Sequence, residues 1–252
     1  MKWIAIPIAI CTVYQCPAQS VFNKVKKMAG KDSSQTILKN IEKQVGGNKT
    51  AGISNDEVIK GLKEALTIGT QNSSKLLHQT DGFLGNAAIK ILMPEEGKKA
   101  EASLNKMGLG RVVDKLILSM NRAAEDAAGG ITEIFWEAIK NMSVSDGMSI
   151  LKGSDDAATQ FLKKATSAQL TEKMRPVINN SLANVNATKY WDDFITAANI
   201  FKKAPTQTNL ADYVTEKALN GIFYTLAAEE KKIRKDPAAR VTDILQKVFG
   251  GQ

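Results

Sequence analysis

Two short clusters of polar residues are the places in this sequence where side chains could do chemistry together. The first holds Asn121, Arg122, Glu125 and Asp126. Residues four apart meet on a helix surface, so Arg122 can pair with Asp126, and in the same way Asn121 can meet Glu125. We predict a polar network that fixes the register of packed helices. The alternative is the polar end of a pocket, in which Arg122 binds a carboxylate or a phosphate.

The second cluster holds Glu229, Glu230 and Arg234, and Arg240 follows one turn into a final helix. Glu230 and Arg234 stand four apart, in the favourable order for an ion pair. If the final helix folds back, Arg240 can meet one of the two carboxylates. We predict a solvated charged face or a clasp between two helices. The alternative is acid–base catalysis, as in a hydrolase of an envelope polymer, by Glu229, Glu230 or Glu125.

The remaining candidate residues indicate structure rather than chemistry. Asp146, Asp155 and Asp156 are predicted to begin helices, where carboxylates cap free amides and favour the helix dipole. His78 is the only histidine, and we expect it to cap a helix end. The Gly108-Leu-Gly110 stretch has no strand before it, so it is not a phosphate-binding loop. The sequence therefore assigns no catalytic residue and predicts no metal site and no cofactor.

The first 18 residues have the pattern of a secretory signal peptide. The apolar run over 3–14 is shorter than the roughly 20 residues of a membrane-spanning helix, but it suits the hydrophobic region of such a signal. We expect cleavage after Ala18, or as late as Ser20. Cleavage removes Cys11 and Cys16, and neither follows the small residue that lipoprotein processing requires. We therefore expect a periplasmic or secreted mature protein without cysteine, lipid anchor or transmembrane helix.

Residues 19–49 form a basic arm that differs in composition from the rest of the chain. Residues 20–49 hold seven lysines against Asp32 and Glu42, whereas 26 basic and 24 acidic residues follow residue 49. The net charge of +8 therefore belongs mainly to the arm, and the nearly neutral body does not suit a nucleic-acid partner. The arm is predicted to be a short amphipathic helix that contacts an anionic membrane surface or packs on the body. Its membrane-facing lysines would be Lys24, Lys26, Lys27 and Lys31.

Residues 50–252 are predicted to form one all-α, multi-helix, bundle-like domain, because long segments show helical periodicity and none sustains strand alternation. Ser54 and Glu57 form a capping box before a helix that runs to about residue 78. A turn is expected over 81–86 and a helix after Pro94. Further helices are predicted over 109–142 with a break at Gly129-Gly130, from about 167 with a kink or restart at Pro176, and over 188–203, 209–235 and 237–249.

The aromatic residues are most simply predicted to lie in the core of this domain. They are Phe135, Trp136, Phe223, Tyr224 and the aromatic residues within 190–201. The alternative places some of them around an apolar ligand cavity, since pockets between helices are common in bundles.

Blocks of residues spread from about Ser54 to Gly250 carry a family resemblance. The blocks are Gly61-Leu-Lys-Glu-Ala-Leu66, Asp81-Gly-Phe83, Asn121-Arg-Ala-Ala-Glu125, Ala138-Ile-Lys-Asn-Met142, Asp155-Asp-Ala-Ala-Thr159, Thr166-Ser-Ala-Gln-Leu170, Glu229-Glu-Lys-Lys-Ile-Arg234, Pro237-Ala-Ala-Arg240 and Lys247-Val-Phe-Gly250. In this order they closely resemble the bacterial exported helical family catalogued as domain of unknown function 4197. The resemblance implies export and a helical fold, and it brings no activity, ligand or catalytic residue. The arm lies outside it.

These observations favour a non-enzymatic exported protein that binds a small apolar or amphipathic ligand, or a protein partner, in the cell envelope. The hypothesis rests on the lack of a thiol in the mature chain, of a histidine cluster and of a nucleotide-binding loop. Two alternatives stay open. One is the envelope-polymer hydrolase, and the other is a membrane-surface or scaffold protein that acts through the basic arm.

Overall fold

The computed structural model describes residues 54–200 and 209–240, together with 242, 246 and 248. Within these residues the fold is all-α, as predicted, with eight α-helices and short 3₁₀ turns at Ala128–Gly130 and Pro237–Ala239. The arm and the signal-like segment lie outside the described residues. The helices are α1 Asn55–His78, α2 Glu95–Lys106, α3 Gly110–Ala127, α4 Thr132–Lys140, α5 Val144–Lys152, α6 Ala157–Asn184, α7 Ala187–Ile200 and α8 Leu210–Lys235.

Helix starts follow the capping residues of the sequence in three places. The Ser54 hydroxyl accepts from the Glu57 amide while the Glu57 carboxylate accepts from the Ser54 amide, which confirms the predicted capping box. Asn209 accepts from two amides at the start of α8. Helix α5 begins one turn earlier than its acidic residue suggests, because Ser143 is the N-cap and Asp146 completes its capping box.

The core lies where α3, α6 and α8 pack against one another, with α1 and α4 on one side and α7 against α3. Each of the three central helices buries apolar residues four apart, which places them on one face. Phe135 and Phe223 meet edge to face with ring centroids 6.1 Å apart. The buried residues at this spacing are Leu116 and Met120 on α3, Leu170, Met174 and Ile178 on α6, and Val214, Ala218 and Ile222 on α8.

Among the named aromatic residues that the structure describes, the predicted core position is wrong for two, and Phe201 lies outside the described residues. Trp136 is 49% exposed and Tyr224 is 56% exposed, whereas Phe135 and Phe223 beside them are buried. Consecutive helix residues point about 100° apart because a turn takes 3.6 residues, so an adjacent pair cannot share the buried face.

Two other predictions concern how helices are interrupted. The predicted break at Gly129-Gly130 is confirmed by the 3₁₀ turn between α3 and α4. The predicted helix start near residue 167 and the restart offered at Pro176 are both wrong, because α6 runs unbroken from Ala157 to Asn184 with Pro176 inside it. Pro176 is exposed, so water can reach the carbonyl that its missing N–H leaves unpaired.

In the described part of the chain, the long connection between α1 and α2 over residues 79–94 is not helical; we call it the 79–94 segment. It begins with the predicted turn near Asp81–Gly85, and residues 90–94 have no regular secondary structure. Lys90 and Leu92 are exposed while Ile91 and Met93 are buried, the alternation of an extended chain. No helix within the described residues is long and apolar enough to cross a membrane.

Candidate functional site

The first polar cluster attaches the 79–94 segment to α3. The buried Glu125 carboxylate accepts the backbone N–H groups of Phe83 at 3.1 Å and Leu84 at 3.2 Å through Oε1. Its other oxygen accepts from Arg122 Nη1 at 2.6 Å. The second guanidinium nitrogen of Arg122 reaches Asp81 Oδ1 at 2.7 Å. Glu125 thus holds the turn through both of its oxygens.

Arg122 is the cation of this cluster, and it pairs with the carboxylates of both Glu125 and Asp81. The side-chain hydrogen bond to Glu125, with a smaller contribution from Asp81, raises the pKa of Arg122 above its usual value, so the guanidinium stays protonated. The predicted pairing of Arg122 with Asp126 is absent, because Asp126 accepts from the Ser181 hydroxyl on α6 instead. The network predicted for this cluster therefore exists, but it joins α3 mainly to a turn.

Asn121 holds the same segment further along the chain. Its Oδ1 accepts from the Ile91 amide at 2.9 Å, and its Nδ2 donates to the Ile91 carbonyl at 2.8 Å. Nδ2 also donates to the Ile117 carbonyl at 2.8 Å, so Asn121 does not meet Glu125. The side chain is fully buried and both of its polar atoms are satisfied, so it acts as a fixed clamp on the extended chain.

The second cluster closes the junction between α8 and the start of α6. Glu230 accepts from the amides of Ala158 at 3.0 Å and Thr159 at 2.8 Å, and from the Thr159 hydroxyl at 2.8 Å. Arg234 donates to Glu230 from Nε and Nη2, and Nη2 also reaches the Ile150 carbonyl at 2.9 Å. Both side chains of this ion pair are more than nine-tenths buried. The predicted ion pair and helix clasp are both present.

Arg240 does not reach Glu229 or Glu230, so that expectation is wrong. Its guanidinium donates to the carbonyls of Ile233 at 3.1 Å and Arg234 at 2.7 Å. These carbonyls belong to the last turn of α8, where no helical amide is available to them. The negative end of the helix dipole also stabilises a cation at this position. Arg240 therefore caps α8, and Glu229 lies half-buried outside the clasp.

The two clusters do not converge on a common cavity. Glu230 and Arg234 border a cleft between α1, α6 and α8 of about 20 Å³, which is room for about one water molecule. Small-molecule sites have volumes of roughly 300–1,000 Å³. The clasp therefore faces packed protein.

The other acidic residues and the histidine have structural partners. Asp155 binds Lys235 at 2.5 Å, and Asp156 accepts from the side chains of Ser154 and Gln160. His78 Nδ1 lies 2.8 Å from the Glu125 carbonyl, so it caps the end of α3 rather than that of its own helix. Across residues 54–200 and 209–240 no three histidine or carboxylate groups are placed to hold a metal ion.

A groove of about 380 Å³ lies between the 79–94 segment, the first turn of α2 and one face of α8; we call it the α8 groove. On α8 its residues are Tyr213, Lys217, Asn220 and Tyr224, which lie on one stripe because they are three or four apart. On the opposite wall Lys90 and Leu92 come from the extended chain. The remaining charged residues that line it are Glu95 and Lys98 of α2, which pair at 2.6 Å.

Close packing beneath the groove fixes the distance between its two walls. A Cβ atom on Gly221 would lie 2.6 Å from Phe83 Cε1 and 3.3 Å from Ile89 Cβ, so only glycine lets the 79–94 segment lie this close to α8. At one end the Tyr213 hydroxyl donates to the Leu92 carbonyl at 2.9 Å. The Lys217 ammonium lies 5.4 Å from the centre of the Tyr213 ring.

Sequence analysis missed the α8 groove. The stripe on α8 has helical spacing, but its residues are common surface types, and the opposite wall comes from a segment more than 100 residues away. Only Gly221 gave a signal, since a glycine inside a helix costs about 1 kcal/mol relative to alanine and so suggests a packing reason.

The match to a family model decides the relationship of this chain to other proteins. It covers residues 52–250, and the family is described as a protein of unknown function, DUF4197. The chain belongs to the DUF4197 family. No curated protein and no solved structure matches it. Both polar clusters and the α8 groove of this DUF4197 protein lie within the matched residues, whereas the basic arm precedes them.

Proposed function

We propose that this DUF4197 protein is an exported, non-enzymatic binding protein whose amphipathic ligand binds in the α8 groove. The observation that carries the proposal is a surface groove of about 380 Å³ that is lined by two tyrosines and three lysines. That volume is within the range of small-molecule sites, which combine apolar walls with a few polar groups. Export is supported by the signal-like pattern of the first 18 residues.

The tight interior argues for a surface ligand rather than an enclosed one. The cleft beside Glu230 holds about 20 Å³, too little for an organic molecule. The α8 groove instead offers the exposed side chains of Leu92 and Tyr224 beside the ammonium groups of Lys90 and Lys217. Apolar surface next to cations suits an amphipathic anion.

The hydrolase hypothesis gains no support from Glu125 or Glu230. Each carboxylate accepts two backbone N–H groups and pairs with an arginine. A catalytic acid or base must exchange its proton with a substrate in an open cleft, and neither carboxylate faces one. Their arrangement supports a structural role.

Ligand-induced stabilisation of the folded protein tests the binding proposal. The probes are octanoate, inorganic phosphate and a blocked peptide of alternating glutamate and valine. A ligand at a hundredfold excess over its Kd adds about 2.7 kcal/mol, which raises Tm by roughly 5–10 °C for a protein of this size. The proposal expects such a rise with at least one probe, and no rise with any of them would contradict it.

A matched pair of variants tests whether the stabilisation comes from the groove. Asn220→Trp fills the groove from an exposed position on α8, whereas Ala228→Trp adds the same side chain at an exposed position of α8 outside it. We expect Asn220→Trp to abolish the rise in Tm and Ala228→Trp to keep it. An equal rise in both variants would place the ligand elsewhere.

Export is tested by expression in a bacterial host, followed by cell fractionation and intact-mass measurement. We expect a periplasmic or secreted product that begins at Gln19 or Val21. Full-length protein confined to the cytoplasm would contradict this part of the proposal.

A further inference from the structure

The wall of the α8 groove formed by residues 90–93 presents backbone groups as well as side chains. In an extended chain the N–H and C=O of one residue point to one side and those of the next residue point to the other. Both backbone groups of Ile91 are held by Asn121, so those of Leu92 point away from α3. The hydrogen bond from Tyr213 to the Leu92 carbonyl agrees with this direction.

Part of this backbone edge is unpaired. Among the described residues, the Leu92 amide and the Lys90 carbonyl have no hydrogen-bond partner. Both belong to exposed residues that line the groove. An unpaired extended edge is a template for a further strand, and proteins use such edges to bind peptides in extended conformation. The edge at residues 90–92 can therefore bind a peptide through backbone hydrogen bonds. The backbone groups inside the helices are already paired and cannot bind a peptide in this way.

The charges around the edge select the kind of peptide. Lys90, Lys98 and Lys217 line the groove, and among the residues that the structure describes the only carboxylate lining it with them is that of Glu95. The Glu95 carboxylate is already engaged by Lys98 at 2.6 Å, which leaves two lysines for a ligand. The basic arm of the chain has the same sign of charge, so it is not a complementary occupant.

We infer that the α8 groove binds an acidic peptide segment in extended conformation. The peptide backbone pairs with the backbone of Lys90 and Leu92, and its carboxylates lie against the Lys90 and Lys217 side chains. This inference rests on the proposed function, since it names the ligand class of the same groove. A lipid or a free phosphate would use the lysines without the backbone edge.

Fluorescence anisotropy with the labelled glutamate–valine peptide tests the inference. The most discriminating comparison is between peptides whose backbone nitrogens are methylated at different positions. Alternate amides of an extended peptide face opposite sides, so only one set can pair with the edge. One peptide is therefore methylated at every valine nitrogen and another at every glutamate nitrogen. We expect one of them to bind at least threefold to tenfold more weakly and the other to bind like the parent. Equal effects of the two methylations would overturn strand pairing.

Charge variants test the second part of the inference. Lys90→Glu and Lys217→Glu each reverse a charge inside the groove, whereas Lys99→Glu reverses an exposed charge on α2 outside it. We expect roughly tenfold weaker peptide binding for the first two and less than a twofold change for Lys99→Glu. A peptide with lysine in place of glutamate should not bind. Equal effects of the three variants would overturn the charge assignment.

The outcomes also separate this inference from the proposed function. If octanoate or phosphate stabilises the protein in a manner that Asn220→Trp abolishes, and the acidic peptide does not bind, the groove is a binding site for another ligand class. The inference then fails while the proposed function stands. If no probe binds in the groove, both fail.

Discussion

At the scale of single residues, the buried carboxylates of this protein act as caps for distant backbone. Glu230 comes from α8, yet it accepts the amides of Ala158 and Thr159 in the first turn of α6. The N-cap of that helix, Asp156, makes no side-chain capping bond. A helix start leaves amides without partners and favours a negative charge. Glu230 supplies both the acceptor and the charge, and Arg234 neutralises it.

Replacement of Glu230 by alanine should cost much more stability than replacement of its neighbour. Glu230→Ala removes the carboxylate that pairs with the buried Arg234 guanidinium, and the loss of one partner of a buried ion pair typically costs about 3–5 kcal/mol. Glu229→Ala at a half-buried position outside the clasp should change the free energy of unfolding by about 0.5 kcal/mol or less. Urea unfolding of both variants measures the difference. Comparable losses would mean that the clasp contributes little.

Asn121 should prove essential for the order of the extended chain. Asn121→Leu keeps a similar volume but leaves the N–H and C=O of Ile91 without partners, at a cost of about 1–3 kcal/mol for each group. Hydrogen exchange at the Ile91 amide should become markedly faster. Asn141→Leu, at an exposed position after α4, is the control and should leave that exchange unchanged. An unchanged Ile91 rate in Asn121→Leu would contradict the clamp.

At the scale of elements, the approach of the 79–94 segment to α8 depends on one glycine. Gly221→Ala places a methyl group 2.6 Å from the buried Phe83 ring. Overpacking of a core costs about 1–3 kcal/mol, which should exceed the helix propensity that alanine gains. We expect a lower Tm for this variant.

Gly69→Ala on α1 is the matched comparison, with the opposite expected sign. The nearest atom to its new methyl group is Ile233 Cδ1 at 3.8 Å, an ordinary contact. The substitution should therefore raise the free energy of unfolding by about 0.5–1 kcal/mol. Thermal unfolding of Gly221→Ala and Gly69→Ala under the same conditions measures both changes in Tm. Changes in Tm of the same sign would refute the packing argument.

The capping box of α5 should make part of the stability depend on pH. Hydrogen bonds from the side chain and then the backbone of Ser143 lower the pKa of Asp146 below its usual value of 3.8. A lowered pKa in the folded state means that the stabilisation is fully present above the usual value and is lost as the pH falls through the folded-state value. We expect Asp146→Asn to reduce Tm at pH 6, and we expect this difference in Tm to shrink as the pH falls below the usual value of the carboxyl pKa. A pH-independent difference in Tm would contradict this origin.

Local sequence signals predicted where helices begin and end better than they predicted which distant segments the helices contact. The end of α1 at residue 78, the capping box at Ser54 and the break at Gly129-Gly130 each depend on residues close in sequence, and all three were predictable. The Glu230–Thr159 contact spans 71 residues, and the Tyr213–Leu92 contact spans 121. Such contacts follow from helix packing, which periodicity does not specify. For this reason the clusters were found from the sequence, but the groove was not.

At the scale of the whole molecule, the charged residues that join helices and the charged residues that line the α8 groove lie in different places of the described domain. Arg122, Glu125, Glu230 and Arg234 are internally paired and join elements of the fold. The lysines of the α8 groove lie at the surface, and within the described part of the chain only Lys98 among them pairs with a carboxylate. The sequence predicted the helical fold class and the family, and it left the polar clusters open as structural networks or as a binding site. We propose the α8 groove as the binding site.

The most direct test of this account is a map of amide chemical shifts in the isotopically labelled protein as the glutamate–valine peptide, octanoate or phosphate is added. We expect the affected amides to lie in residues 88–93 and along the stripe from Tyr213 to Tyr224. Shifts centred instead on Arg122 and Glu125, or on Glu230 and Arg234, would show that a polar cluster is the binding site. Such a result, or no shift with any of the three probes, would contradict the assignment of the α8 groove.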